Sequence, residues 1–357
     1  MLSKEEQIQY SRHILLNELG LEGQLRLKQA KVLVIGAGGL GCPILQYLTA
    51  AGVGTLGIID DDVVDQTNLQ RQVLYTVDDV GKAKVEIAAK RLSKLNPFVQ
   101  FQVFKDKLTI KNALSLFKAF DIIVDGSDNF QTRYLCNDAA VITNKPLVYG
   151  SIFKFEGQVS VFNFNGSGTY RCLYPTPPKP KESPNCSDVG VMGVLPGIIG
   201  SLQANEVIKI ICGLGDVLAN KLVVFDVLSM RQLILSFSKT DESKILKLEE
   251  DYNFFCGIDS ADQIISIDEL LKNKSDFNLL DVRETWEREQ GHIGGLHIPL
   301  NQLQDRYHEI STNKPLVVYC KSGIRSKKAI LFLRDVFANT TLINLRNGLP
   351  IKFLIKY

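Results

Sequence analysis

The residues with the most chemistry lie near the C-terminal end of the 357-residue chain, in Cys320-Lys321-Ser322-Gly323-Ile324-Arg325-Ser326. The apolar run from Pro315 to Tyr319 reads as a strand that delivers the cysteine. Ser326 to Val336 reads as the helix that follows it. A sulfur at such a junction faces backbone N–H groups that the helix leaves free. Those donors and the helix dipole favour an anion, so a lowered thiol pKa is expected. Gly323 permits the tight turn, and Lys321 and Arg325 bring positive charge. This loop suits a thiolate, or a persulfide carrying a terminal sulfur. A second candidate thiol, Cys186, follows the proline-rich stretch Tyr174 to Pro184. A cysteine on a crossover loop of that kind reads as exposed and reactive. Cys42, Cys136 and Cys212 lie in apolar patterns and read as packing residues.

A second group of chemical residues needs a different frame. Lys31 to Ile35 reads as a buried strand, followed by Gly36-Ala37-Gly38-Gly39-Leu40-Gly41, a helix through Leu48, and a second strand, Thr55 to Ile59, that ends at Asp60. This is a βαβ unit with a GxGxxG turn, whose helix N-terminus can hold phosphate. Alone, the turn would suggest a nicotinamide-linked oxidoreductase. Three features argue for a triphosphate instead. Asp60-Asp61-Asp62 is followed by Asn68 and Arg71, groups suited to ribose and polarised phosphates. Lys84 enters a helix, where it could neutralise charge on an α-phosphate. Asp125-Gly126-Ser127-Asp128-Asn129 closes a strand read from Asp121 to Val124, where an aspartate can hold Mg²⁺.

Length and composition set the bounds. The length predicts two domains. A hydrophobic content of 45% supports sizeable cores, and a net charge of +2 gives nucleic acid no electrostatic footprint. Seven scattered cysteines without disulfide spacing fit a reducing cytoplasm. Met1 to Gly20 carries charges throughout and does not read as a signal peptide. The longest apolar run, Val191 to Ile211, is interrupted by polar residues and reads as a buried helix, not a membrane span. Glu5 to Leu19, with Tyr10, Arg12 and His13, is amphipathic.

In this order the first set of motifs resembles the adenylating domain of the ThiF/MoeB/HesA family, which is similar to ubiquitin-activating enzymes. The resemblance covers roughly residues 1–240. The Cys320 loop, with Asp281-Val282-Arg283-Glu284, Gly291-His292-Ile293-Gly294-Gly295 and Ile298-Pro299, resembles rhodaneses over roughly residues 260–357. The resemblance implies an α/β protein with an N-terminal Rossmann-like ATP-binding domain on a mixed sheet and a C-terminal rhodanese-like α/β domain. The expected limits are 1–240, a polar linker at 241–260, and 261–357.

The implied ATP site comprises Gly36, Gly38, Gly39, Gly41, Asp60, Asn68, Arg71, Lys84, Asp128 and Asn129, with Mg²⁺ on Asp128. Arg12 matches an arginine that in this family reaches into the nucleotide site of a homodimer partner. Arg71 and Lys84 match catalytic positions, and Cys186 matches the adenylating family's catalytic cysteine. Lys321, Ser322, Gly323, Ile324, Arg325 and Ser326 would form the persulfide loop around Cys320. The implied partner is a ubiquitin-like sulfur carrier protein ending in Gly-Gly, supplied by a sulfur donor such as a cysteine desulfurase. The small subunit of molybdopterin synthase is the carrier implied first, with the thiamine-pathway and tRNA-thiolation carriers as alternatives. A nucleotide-bound sulfur-relay scaffold without adenylation is the alternative of another class.

One departure stands out. Members of the adenylating family often hold a structural zinc with two CxxC pairs. Here those pairs read Thr169-Tyr170-Arg171-Cys172 and Asn253-Phe254-Phe255-Cys256. Two thiolates fall short of the four ligands zinc prefers, so no zinc is expected.

Overall fold

Strand β1 (Lys31–Ile35) is apolar and buried from Val32 onward because the sheet is covered on both faces. Val32 and Val34 point into one core, shared with the helices Gly41–Ala51 and Leu195–Cys212. Leu33 and Ile35 point into the other, shared with the helices Ala113–Ala119 and Phe130–Thr143. The protein, described here as a computed structural model, is placed for residues 1–178, 190–250, 252–256, 263–337, 340–346 and 348–350. Cys186 lies outside these described residues. Contacts divide the chain into Met1–Ile258 and Asp259–Tyr357.

The first unit is built on eight strands: β1, β2 (Thr55–Ile59), β3 (Gln100–Phe104), β4 (Ile122–Asp125), β5 (Leu147–Phe153), β6 (Glu156–Phe162), β7 (Lys221–Asp226) and β8 (Arg231–Ser236). Their order is β3-β2-β1-β4-β5-β6-β7-β8. The first five are parallel neighbours, and β5 to β8 pair antiparallel, so the sheet is mixed. The chain reverses its direction of travel across the sheet between β1 and β4. That is the switch point at which open α/β sheets bind ligands.

The amphipathic N-terminal segment breaks at Tyr10 into the short helices Lys4–Gln9 and Ser11–Ile14. Tyr10 is buried and its hydroxyl accepts a hydrogen bond from Asn96 Nδ2 at 2.8 Å, which pins the break. The long apolar run becomes the helix Leu195–Cys212, with Pro196 in its first turn, where its missing N–H costs nothing. Part of the described stretch after residue 240 packs into the first unit. Tyr252 and Cys256 are buried in its second core, and the Tyr252 hydroxyl donates to Asp138 Oδ2 at 2.7 Å.

The second unit is a five-stranded sheet of β9 (Gln263–Ile265), β10 (Asn278–Asp281), β11 (Leu296–His297), β12 (Leu316–Tyr319) and β13 (Leu342–Leu345). The order is β11-β10-β12-β13-β9, and every pair is parallel. Among the described residues no helix is long and apolar enough to cross a membrane.

Candidate functional site

A cleft of about 430 Å³ opens at the carboxyl ends of β1, β2 and β4, at the switch point of the sheet. Gly36, Gly38, Gly39, Asp60, Arg71, Lys84, Asp128 and Asn129 all line it. The glycine turn leads from β1 into the helix Gly41–Ala51. Gly41 does not line the cleft. It lets the turn close, since a Cβ there would sit 2.1 Å from the Gly36 carbonyl oxygen.

Asp60 accepts a hydrogen bond from the Ala37 N–H at 2.7 Å, which ties the end of β2 to the glycine turn. Burial raises its carboxyl above the ordinary aspartate value, against the pull of the Ala37 bond and Lys84. Lys84 opens the helix Lys84–Leu95 and is buried along its stem. Its ammonium pairs with Asp62 at 2.8 Å. Arg71 Nη1 donates to the Thr67 carbonyl at 3.1 Å. Asn68 is not among the residues lining the cleft, and its Oδ1 accepts from the Asp65 N–H at 3.3 Å. Arg12 lies on the short helix Ser11–Ile14 and is not among the residues lining this cleft.

The loop after β4 divides its labour. Asp125 ends the strand fully buried, accepts from the Ser127 N–H at 2.9 Å, and has its carboxyl raised by burial. Asn129 caps the helix Phe130–Thr143 through the Thr132 N–H at 2.9 Å. Asp128 is left exposed and facing the cleft, so it is the carboxylate of this loop available to a cation. Among the described residues, Asp60, Asp61 and Asp62 form the one group of three ligand-type side chains close enough to share a metal ion. Among the lining residues that the sequence analysis does not name as site residues are Gln72 and Arg133. Gln72 is buried, and its Oε1 has no donor among the described residues. Arg133 follows the Asn129 cap by one helical turn. The adjacency of Gln72 to Arg71 was its only signal in the sequence.

In the second unit Cys320 leaves the end of β12 and lies on the floor of the loop, fully covered. The helix begins at Ile324, earlier than the sequence pattern suggests. Gly323, at φ 88°, takes a left-handed turn that directs its N–H to the Cys320 sulfur at 3.1 Å. The Ser326 hydroxyl lies 3.5 Å from the same sulfur and donates to Asn344 Oδ1 at 2.7 Å. Lys321 and Ser322 are exposed. Parallel pairing sets Asp281 beside Tyr319 and so brings the upstream motif to the loop. Arg283, fully buried, makes a two-bonded pair with Asp281 at 2.9 and 2.7 Å and also donates to the Gly291 carbonyl at 2.8 Å. Arg325 makes a two-bonded pair with Glu287 at 2.5 and 2.7 Å.

The other cysteines separate by environment. Burial pushes the Cys42 thiol up to about 12 and the Cys212 thiol up to about 11. Cys136 is driven well above the ordinary value for the same reason. The two cysteines left from the expected zinc pairs also differ. Burial pushes Cys256 up to about 12. Burial also raises Cys172, but bonds from the Thr169 hydroxyl and the N–H groups of Thr169 and Thr240 outweigh it and leave this thiol below its ordinary value. Between these segments lies a buried ion pair. Arg171 binds Asp138 through two bonds at 2.8 and 2.7 Å, reaches Glu249 at 3.1 Å, and stacks 4.4 Å over Phe255.

The model of the ThiF family matches residues 10–245, and that of the rhodanese-like domain matches residues 266–350. A probable adenylyltransferase/sulfurtransferase MoeZ of Mycobacterium tuberculosis is 43% identical over 92% of this chain and 88% of its own length. A sulfur carrier protein adenylyltransferase of Thermus thermophilus is 48% identical over 72% of this chain and 98% of its own length. Among solved structures, E. coli MccB superposes with a TM-score of 0.61 at 24% identity, over 69% of this chain and 75% of that one, which speaks to the fold alone. The chain therefore belongs to the ThiF family, and a rhodanese-like domain follows its ThiF region.

Proposed function

We propose that the first unit uses ATP to adenylate the C-terminal carboxylate of a ubiquitin-like sulfur carrier protein ending in Gly-Gly, and that the second supplies sulfur from a persulfide on Cys320. The observation that carries this reading is the single cleft lined by the glycine turn, Asp60, Arg71, Lys84 and Asp128. A carboxylate is a poor acyl donor. Its oxygen attacks the α-phosphorus of ATP, the bond to the bridging oxygen breaks, and pyrophosphate leaves. The resulting acyl-adenylate has AMP as a good leaving group. The glycine turn and the helix N-terminus seat phosphate, Asp60 holds the ribose, and Arg71 and Lys84 meet charge that develops on the phosphates. The exposed carboxylate of Asp128 would hold Mg²⁺, a hard cation that takes oxygen ligands. When bound, it neutralises phosphate charge.

The terminal sulfur of the Cys320 persulfide then attacks the acyl carbonyl and AMP departs. A second thiolate, the role proposed for Cys186, then attacks the Cys320 sulfur: the S–S bond to the carrier breaks, the carrier leaves as its thiocarboxylate, and the disulfide formed between the two cysteines is returned to thiols by a cellular dithiol reductant. Because Cys320 has no exposed surface, sulfur exchange requires residues 321–326 to shift. Arg12 fits the family's pattern of a homodimer in which it completes the partner's site. The small subunit of molybdopterin synthase is the preferred carrier, a cysteine desulfurase the preferred source of sulfur, and the cytoplasm the preferred compartment. The test is ATP–pyrophosphate exchange with and without a Gly-Gly-ending carrier. Exchange should require the carrier and should vanish in Asp128→Ala. Wild-type exchange in that variant would remove Asp128 from the metal site.

A further inference from the structure

The chain holds a single tryptophan, Trp286, and it is 59% exposed. Tryptophan is highly buried on average and is enriched at interfaces. Among the described residues of the second unit, the other exposed large apolar side chains are Ile264, on the edge strand β9, and Leu271, on the helix Ile267–Lys272. Trp286 instead follows β10, the strand beside the one that delivers Cys320.

The helix that carries it, Thr285–Glu289, is fixed to the Cys320 loop. Its next residue, Glu287, is buried and pairs with both terminal nitrogens of Arg325. Arg283 Nη1 donates to the Glu287 carbonyl at 3.2 Å, and the Glu284 N–H donates to the Glu287 carboxylate at 3.0 Å. Successive helical residues are turned by about 100°. Trp286 is therefore presented on an outer face next to the one that grips the loop. Neither its ring nor its N–H has a partner among the described residues.

Cys320 has no exposed surface, and the next two residues, Lys321 and Ser322, are exposed. A partner that brings an acyl group to this sulfur must be slim at its tip. Two terminal glycines meet that demand, because they bring only backbone. For the same reason they have no side chain by which to be recognised. What they offer is peptide planes and carbonyl oxygens. An indole on a fixed helix complements both. Its face packs against peptide planes at low entropic cost, and its N–H donates to a carbonyl.

We propose that Trp286 is the docking residue of the second unit for the Gly-Gly tail of the carrier, holding the tail at the rim of the Cys320 loop during acyl transfer. This rests on the reading of Cys320 as the persulfide-bearing residue and adds the surface by which that site recognises its acyl partner. Trp286 supplies contact area and one hydrogen bond, and no bond is made or broken on it.

The lone tryptophan makes the unaltered full chain its own reporter. The probe is a tryptophan-free version of a carrier that supports pyrophosphate exchange with this chain, either intact or lacking its last two glycines. The intact carrier should shift the indole emission to shorter wavelength as water leaves the ring, and the truncated carrier should not. Trp286→Ala should lower thiocarboxylate formation about tenfold at sub-saturating carrier, the scale of one buried aromatic contact. Loading of Cys320 from a small alkyl persulfide, which has no tail, should keep its rate. Trp286→Phe should recover the part that depends on a ring face. A merely structural role would slow Cys320 loading in Trp286→Ala as well, and that result would overturn the proposal. So would an emission unmoved by the intact carrier, a result that needs no variant to fold. An equal shift with the truncated carrier would move the contact to the carrier's folded face and overturn the tail assignment, as would a shift caused by a cysteine desulfurase and not by the carrier. Sulfur reaching the adenylated carrier in Cys320→Ala would instead overturn the reading beneath it.

Discussion

Lys84 offers the sharpest test of the nucleotide site, because its two functions have very different magnitudes. Structurally it is one half of an ion pair whose other half, Asp62, is 67% exposed. Exposed pairs contribute roughly 0–1 kcal/mol. Lys84→Met keeps the buried aliphatic stem, and the freed Asp62 carboxylate returns to water. The loss should stay below about 1 kcal/mol, a shift of about 2–4 °C at most in Tm for a unit of this size. Chemically, Lys84 is assigned to charge that develops on the phosphates. Removing one preorganised donor of that kind costs about 10²–10³-fold in kcat. The assay is carrier-dependent ATP–pyrophosphate exchange, with Tm followed on the same preparation. A large fall in exchange at nearly constant Tm is expected. Exchange within about threefold of wild type would refute the assignment, and so would a loss that merely tracks unfolding. Asp62→Asn supplies the complement. If Asp62 competes with phosphate for the ammonium, this variant should lower the KM for ATP.

Three further outcomes follow from other parts of the molecule. Cys320→Ala should keep carrier adenylation and lose sulfurtransferase activity, measured as thiocyanate formed from thiosulfate and cyanide; loss of pyrophosphate exchange as well would contradict separate duties for the two units. Mixed dimers of Arg12→Ala and Asp128→Ala subunits should recover part of the activity, because one site of each would carry both defects and the other none; verified heterodimers without recovery would reject a shared site. Arg171→Met should destabilise the first unit by about 3–5 kcal/mol by stranding Asp138 in the core, whereas a chelator should leave the melting temperature of the unaltered protein unchanged; an unfolding response to the chelator would show a zinc held by ligands beyond Cys172 and Cys256.

What was legible in the chain was local. The glycine turn between β1 and its helix, the acidic end at Asp60, and the strand–cysteine–helix junction at Cys320 are each written within a few residues. Hydrophobic runs and glycines act over that range. Buried strands such as Lys31–Ile35 showed their two covered faces as apolar runs, here from Val32 to Ile35. The order of these motifs carried the family resemblance. Partner choice was not legible, because it depends on which segments the fold brings together. Lys84 meets Asp62 only after the chain has turned back on itself, and Arg325 meets Glu287 because β10 and β12 are neighbours. The strand-ending Asp125 is fully buried, whereas Asp128 is exposed and lines the cleft, a difference in burial that the sequence does not show. The polar stretch after Ser236 gave no hint that Tyr252 would enter the aromatic core and bond to Asp138. Charge and polarity at single positions reveal what a side chain can do. Burial and long-range pairing decide what it does, and those belong to the tertiary structure.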